Sequence, residues 1–333
     1  MSSTLLFFAP SLGISAVALG AVFFLGGIEA LFIALLLSIL EVTLSFDNAV
    51  VNARVLTRMT AVWQRRFLTW GILIAVFGTR ILFPILIVSA TVLTSPFIIA
   101  QLAFFEPLTY AHLLEDARYA IDSFGAAFLL MVALKYFMDA SKERHWLRVI
   151  ERTLSRWGRI ESVELAIALT ALVAISFAVP EEAMATVLVG GVIGVVLFLL
   201  SQGVASVFSL STSQTASTGL ALFVYLEILD SAFSLDSVIG AFALSSSIPV
   251  IAAGLGIGAF FVRSLTIFFV RHRTLESLVY LEHGAHWAIL GLATSMLASL
   301  LFEIPELITG GIGLAFLVAA YYSSIIFNGK QRA

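Results

Sequence analysis

Residues 31–51 read LFIALLLSILEVTLSFDNAVV, an apolar run broken only by Ser38, Glu41, Thr43, Ser45, Asp47 and Asn48. A helix needs about 20 largely apolar residues to cross the hydrocarbon core of a bilayer, and this stretch is long enough. Its first half does not alternate apolar with polar residues, as a strand of a membrane β-barrel would. The acids Glu41 and Asp47 stand inside it all the same, and ionisable groups at such depth are costly and mark function. Residues 219–241, GLALFVYLEILDSAFSLDSVIGA, show the same two properties, with Glu227, Asp230, Asp236 and Ser237.

The rest of the chain agrees with this reading. Of its 333 residues 60% are hydrophobic and 12% charged, with a mean hydropathy of +1.06. An ordinary soluble domain carries about 25% charged residues, so this chain lacks the polar side chains to cover a water-facing surface. Soluble and disordered classes are excluded. Apolar stretches at 5–26, 28–51, 67–93, 119–139, 163–180, 183–201, 219–245, 249–270, 278–301 and 305–327 predict an all-α polytopic membrane protein with about 9–10 transmembrane helices. A net charge of -3 implies no bulk attraction for nucleic acid. With no cysteine, disulfides, thiolate metal sites and cysteine nucleophiles are excluded. Met1 to Ala9 carry no Lys or Arg, which argues against a cleaved secretory signal.

Orientation follows from the basic residues. Arg54, Arg58, Arg65 and Arg66 fall in one loop, Lys142, Arg144, Arg148, Arg152, Arg156 and Arg159 in another, and Arg271, Arg273, Lys330 and Arg332 in two more. These are 14 of the 18 Lys and Arg, and all lie on one side of the ten-span arrangement. That side is expected to be the cytoplasm of a bacterium, with both termini inside and the inner membrane as the location. Segment 94–118 predicts an external excursion with a short amphipathic helix, on which His112 and Glu115 read as a solvated face. Segment 201–218 predicts a flexible connection between two halves.

The acidic motif is duplicated. Glu41 to Asp47 and Asp230 to Asp236 are each separated by six residues, and in each copy Ser, an apolar residue and Asp are followed by a small polar residue. The following helix repeats too: Gly71 precedes Arg80 by nine residues, and Gly254 precedes Arg263 by nine. The expected topology runs the two copies in opposite directions, an inverted 3+3 repeat of the kind secondary transporters use. A single membrane domain is expected over 1–333. Its repeat halves cover about 28–140 and 219–301, with an extra helix pair at 163–201 and a C-terminal helix at 305–327. Glu41, Ser45, Asn48 and Asn52 share one helical face, as do Glu227, Asp230, Ser234 and Ser237. Asp47 and Asp236 each sit one residue off that stripe, about 100° away. Local unwinding near Ser45–Asn48 and Ser234–Ser237 is therefore predicted.

Five acids, Glu41, Asp47, Glu227, Asp230 and Asp236, face two possible fixed partners, Arg80 and Arg263. Left solitary, each acid would cost at least ~2.5 kcal/mol in the membrane, so a cation or protons are expected to compensate. Carboxylate, amide and hydroxyl oxygens, with Asn48 and Ser237 contributing, suit Mn²⁺, Ca²⁺ or Mg²⁺ as a transported ion. Arg80 and Arg263 read equally as structural partners or as tethered counter-cations of an empty site. His283 and His286 beside Glu282 read as interfacial hydrogen-bonding groups before a soft metal pair. Glu29 and Lys135 read as interfacial or snorkelling groups, and Asp122 as a residue of the outer mouth.

At these positions the chain resembles the TerC family of integral membrane proteins, of the TerC and Alx kind. The string Glu227, Asp230, Phe233, Asp236 and Ser237 looks like its signature, Glu41 with Asp47-Asn48 matches in the first half, and the repeated arginines agree. The resemblance covers about residues 29–300. It implies export of Mn²⁺ through a midplane site formed by Glu41, Asp47, Glu227, Asp230 and Asp236. The helix pair near 163–201 and the string after Asn48 depart from the manganese exporters and look more like a TerC-like subgroup of unknown function. The expected function is a proton-coupled secondary exporter of a divalent cation and not an enzyme. No nucleotide-binding loop occurs, and the expected partners are membrane lipid, the divalent cation and protons, with a homo-oligomer as an open alternative and no nucleic acid. The alternatives are a non-transporting membrane assembly or stress-resistance protein with a structural ion, and, with least support, an intramembrane aspartyl protease.

Overall fold

The computed structural model describes residues 3–209, 216–245 and 247–332, and within these the side chains of 3–5, 204–209, 216–218, 235, 236, 243, 306, 307 and 330–332 lie outside the described residues. The described residues are all-helical, with no strand. In chain order the helices are α1 (Ser3–Leu44), α2 (Phe46–Leu56), α3 (Ala61–Leu73), a π-helix (Ile74–Leu82), α4 (Phe83–Thr91), α5 (Pro96–Phe105), α6 (Pro107–Asp116) and α7 (Arg118–Phe137). They continue as α8 (Arg148–Trp157), α9 (Val163–Ser176), α10 (Glu181–Ser209), α11 (Ala216–Leu244), α12 (Ile248–Arg271), α13 (Thr274–Ser277), α14 (Leu281–Ser299) and α15 (Glu306–Arg332).

Among the described residues six helical stretches are long and apolar enough to cross a membrane: Leu6–Leu44, Ala61–Thr91, Arg118–Phe137, Glu181–Gly203, Ile248–Arg271 and Ile308–Gly329. The chain is a polytopic all-α membrane protein. Each of the ten apolar stretches falls on a helix, but α9 has only 14 residues. That is about 21 Å of helix, short of the roughly 30 Å of a bilayer core. Segment 201–218 is largely helix, since α10 extends to Ser209 and α11 begins at Ala216. What remains of the expected connection, 210–215, lies outside the described residues.

The 42 residues of α1 contain one non-helical position, Gly27, at φ 70° and ψ -162°. This conformation is essentially open to glycine alone. It folds α1 into a hairpin whose limbs both lie along α12. On the first limb Ser11 Oγ hydrogen-bonds Ser264 Oγ at 2.9 Å, and Val22 shares a buried cluster with Val250. On the second, Ala34 packs near Val250, and Ser38 Oγ donates to the Gly254 carbonyl at 3.1 Å. The first limb is therefore antiparallel to α12 and the second parallel, and the stretches 5–26 and 28–51 need no loop between them. Gly27→Ala should cost about 1–3 kcal/mol, read as a drop in the thermal midpoint of the purified protein. Gly20→Ala is the control: it lies within helix and a methyl there meets nothing within 4 Å. Equal midpoints for the two variants would remove the special role of Gly27.

Packing centres on α7, where every residue from Ile121 to Leu134 is buried, against α9, α10, α11 and α14. The outer helices expose large apolar side chains, including Phe24, Leu25, Phe32, Val189 and Leu200, as lipid contact requires. The basic loops gather at one end. Arg54, Arg58, Lys142, Arg144 and Arg273 line a single cleft of about 660 Å³. Arg148 and Arg152 line a neighbouring cleft with Tyr280 and Phe327, and Arg271 lies 5.4 Å over the ring of Phe7.

At this end the short helix α8 is docked by Glu151, whose side chain is fully buried. The carboxylate accepts from His283 Nδ1 at 2.8 Å, Trp287 Nε1 at 3.0 Å and the backbone amides of Trp146 and Leu147, with Lys142 Nζ at 3.5 Å and His145 at 3.9 Å. Burial alone would raise the Glu151 pKa. The hydrogen bonds from His283 and Trp287 and the nearby Lys142 charge prevail and hold it down at about 2. An acid whose pKa falls on folding contributes stability that is present above its ordinary value near 4.5 and is lost as pH drops toward 2. Limited proteolysis of 138–162 should therefore be slow at pH 7 and accelerate below about pH 4. Glu151→Gln should be cleaved readily already at pH 7, and protection unchanged by that substitution would refute the docking role.

Candidate functional site

The two acidic motifs meet inside the bundle. Leu37 shares a buried cluster with Val238 and Ala241, Asn48 bonds Asp230, and Leu56 lies with Leu222 and Leu226. The second limb of α1 and α2 thus run antiparallel to α11. The helices that follow are antiparallel too. Phe67 and Gly71 of α3 meet Arg263 of α12, Val76 meets Gly256, and Ile85 shares a cluster with Ile251.

Between these four helices lies a closed network of charge. Arg263 is 1% exposed. It donates to Glu227 in bidentate fashion, Nη1 to Oε1 at 3.0 Å and Nη2 to Oε2 at 2.8 Å, and Nη2 also donates to Asp230 Oδ2 at 3.2 Å. Its Nη1 reaches the Phe67 carbonyl at 3.3 Å, and the guanidinium lies 4.3 Å over the Phe67 ring. A side chain at Gly71 would collide with the Arg263 guanidinium and the Glu227 carboxylate, so the glycine marking the repeat is there to admit the ion pair. Arg80 donates to Glu41 Oε1, which also accepts from Ser45 Oγ at 3.1 Å. Arg80 Nη1 donates to the Ala75 carbonyl at 2.7 Å and stands 4.0 Å from Asp230 Oδ2. Asp230 ties α11 to α2, because Asn48 Nδ2 donates to its Oδ1 at 2.8 Å.

Two backbone features position these groups. The helix breaks at Ser45 (φ -96°, ψ 15°), between α1 and α2, within the segment where unwinding is expected. The break is one residue long, since Ser45 N still bonds the Glu41 carbonyl and Ala49 N the Ser45 carbonyl. The matching unwinding at Ser234–Ser237 does not occur. Helix α11 is continuous from Ala216 to Leu244, and no Gly or Pro interrupts 220–239. Arg80 sits on the π-helix Ile74–Leu82, a rare backbone form found often at functional sites.

The expected ligands therefore divide. Glu41, Asn48, Glu227 and Asp230 converge with Arg80 and Arg263. Asp47 turns away: its Oδ1 accepts from the Asn48 amide at 2.8 Å, and it lines a small separate cavity with Ser45, Phe233, Ser237 and Thr309. Ser237 Oγ there donates to the Ser234 carbonyl at 2.9 Å. The side chain of Asp236 lies outside the described residues. Among the described residues no group of three or more His, Asp or Glu is arranged to hold a metal. His283 and His286 do not form a soft pair, because His283 binds Glu151, and His286 bonds the Glu282 carbonyl and stacks on Tyr136 at 3.5 Å. Lys135 is half-exposed and pairs with Glu164 at 3.0 Å. Asp122 pairs with Arg118 and accepts from Ser299 Oγ, and Glu115 pairs with Arg118 on the surface.

Sequence reasoning missed Glu151 and the π-helix. Among the described residues, buried side-chain atoms without a hydrogen-bond partner include the acceptors Glu41 Oε2, Asn48 Oδ1 and Asn52 Oδ1, the hydroxyl of Ser234, and the donors Arg80 Nε and Arg263 Nε.

A family model described as "Protein of unknown function (DUF475)" matches residues 46–331. No curated protein and no solved structure matches the chain.

Proposed function

The chain belongs to the DUF475 family, and we propose that it is a secondary transporter that exports a divalent cation, with Mn²⁺ as the substrate its TerC-like motifs favour. The observation that carries this reading is the pair of buried, unbonded acceptors Glu41 Oε2 and Asn48 Oδ1 among the described residues, in the network of carboxylates from two antiparallel helices. Buried acceptors are normally satisfied, and hard oxygens of this kind are what Mn²⁺, Mg²⁺ and Ca²⁺ take as ligands. Glu41, Glu227 and Asp230 against Arg80 and Arg263 leave a formal charge of one negative in the network, and Asp47 adds a second negative charge in the cavity beside it.

In this reading Arg80 and Arg263 are tethered counter-cations that hold the carboxylates together while no substrate is bound. A cation reaching the site displaces Arg80 from Glu41 and Asp230. The π-helix gives Arg80 a way to leave, because shifting from π to α hydrogen bonding turns a side chain about the helix axis without unfolding the helix. Protons arriving at the carboxylates release the ion, and the arginines return.

The sealing of Glu41, Glu227 and Asp230 by arginine favours a second reading, a non-transporting membrane assembly or stress-resistance protein with these pairs as structure. Metal analysis and competition on the purified protein separate the two. The exporter should bind Mn²⁺, with Ca²⁺ and Mg²⁺ competing, and Glu41→Gln should weaken binding by about 10–100-fold, the range seen when metal-site support is removed. No Mn²⁺ uptake, or uptake indifferent to Glu41→Gln and Asp230→Asn, would leave the structural reading standing.

A further inference from the structure

Helix α8 presents a face that the ion site does not explain. Glu151 and Ser155, one turn apart, are buried, and Ser155 Oγ donates to the Asp139 carbonyl at 3.1 Å. With Glu151 held by His283 and Trp287, the rotation of α8 about its axis is fixed. The opposite face carries Val149, Ile150 and Trp157, continued by Ile160, exposed by 83%, 49%, 51% and 61%. Along its flank run Arg148, Arg152 and Arg156 at four-residue spacing, followed by Arg159, all exposed. None of these four arginines forms an ion pair among the described residues, although Arg54, Arg118, Lys135 and Arg273 at other surface positions do.

The position of α8 names the partner. Linkers 138–147 and 158–162 tie it directly to the end of α7, a membrane-spanning helix, and to the start of the apolar α9. It lies at the end of the molecule where the basic loops gather. A helix with large apolar side chains on one face and arginines beside them, held at that level, has the chemistry of an interfacial helix. Its apolar side enters the boundary between headgroups and acyl chains, while its cations meet lipid phosphates.

We propose that α8 is a preformed docking element for the bilayer surface, with Val149, Ile150, Trp157 and Ile160 inserted and Arg148, Arg152, Arg156 and Arg159 binding anionic phospholipid headgroups. The inference is independent of which ion the bundle carries.

The cysteine-free chain permits a clean test. Val149→Cys and Trp157→Cys are spin-labelled singly in the full chain and reconstituted in vesicles of phosphatidylcholine with phosphatidylglycerol. Glu276→Cys, whose native side chain is 73% exposed at the same end, is the control. Labels at 149 and 157 should be relaxed by oxygen and shielded from a water-soluble nickel complex, and the control should be reached by nickel. Equal nickel access at all three positions would overturn the proposal and assign the face to a protein partner. In a second arm, adding phosphatidylglycerol to phosphatidylcholine nanodiscs should raise the thermal midpoint of the wild-type chain. Arg148, Arg152, Arg156 and Arg159→Gln together should abolish that rise while leaving the midpoint in pure phosphatidylcholine unchanged. A rise retained by the variant, or one reproduced by soluble glycerol phosphate, would also overturn it.

Discussion

Arg263→Gln should destabilise the protein by about 3–5 kcal/mol, the cost of removing one partner from a buried ion pair. The guanidinium is fully buried and satisfies Glu227, Asp230 and the Phe67 carbonyl at once. Glutamine reaches none of them in the same fork. It leaves the Glu227 carboxylate without its bidentate cation, and Asp230 with only Asn48 and the more distant Arg80. Lysine should rescue little, because a point charge forms neither the bidentate pair nor the flat contact over Phe67. The measurement is resistance to thermal or detergent unfolding. Glu227→Gln added to Arg263→Gln should recover part of the loss, with a coupling of about 1–3 kcal/mol. Strictly additive losses, or an Arg263→Gln protein as stable as wild type, would show that this ion pair does not hold α12 to α11.

The second large effect concerns flux. Asp47→Asn with Asp236→Asn should lower Mn²⁺ transport into proteoliposomes by at least about 100-fold, the upper end of the cost of losing support at a metal site. Asp47 differs from the other acids in having no cationic partner among the described residues. It lines a small cavity with Ser237 and Thr309 instead of the arginine network, so its charge there calls for an ion or a proton. Asp236 is included as its counterpart in the repeat. Asparagine is close to aspartate in size and removes its charge, so loss of flux with an unchanged thermal midpoint points to ion handling. Unaltered flux in the double variant would refute this site, and absence of flux in the wild-type protein would favour the non-transporting reading.

The helical class was legible because apolar runs such as 31–51 and 183–201 have one physical use. The acids were legible because a carboxylate in such a run is conspicuous. The pairing of Arg263 with Glu227 could be anticipated from the scarcity of cations, but not the fork over Phe67, since nothing local marks Phe67 as an aromatic wall. Asp47 shows a limit of the periodicity argument. Its offset from the stripe implies a local break, and the helix does break at Ser45, but the break leaves Asp47 facing a second cavity and not the arginine network. The π-helix was invisible because IAVFGTRIL contains no residue that dictates hydrogen-bond register. Glu151 reads as a surface acid in an arginine-rich helix, and only contacts 132 and 136 residues away in sequence, to His283 and Trp287, bury it.

The turn at Gly27 also constrains how the chain enters a membrane. With one residue between them, neither limb of the hairpin has a loop that could wait on the far side while the other is threaded, so the two must cross as a pair. From Ser3 to Ala53 there is no Lys or Arg, and the pair carries no retention signal of its own. Between Ser3 and Arg66 the only cations that can orient it are Arg54 and the basic residues after it. By the positive-inside rule the second limb, which bears Glu41, takes its orientation from a loop made after it, so the last residues of this segment to be synthesised set the position of a carboxylate made before them.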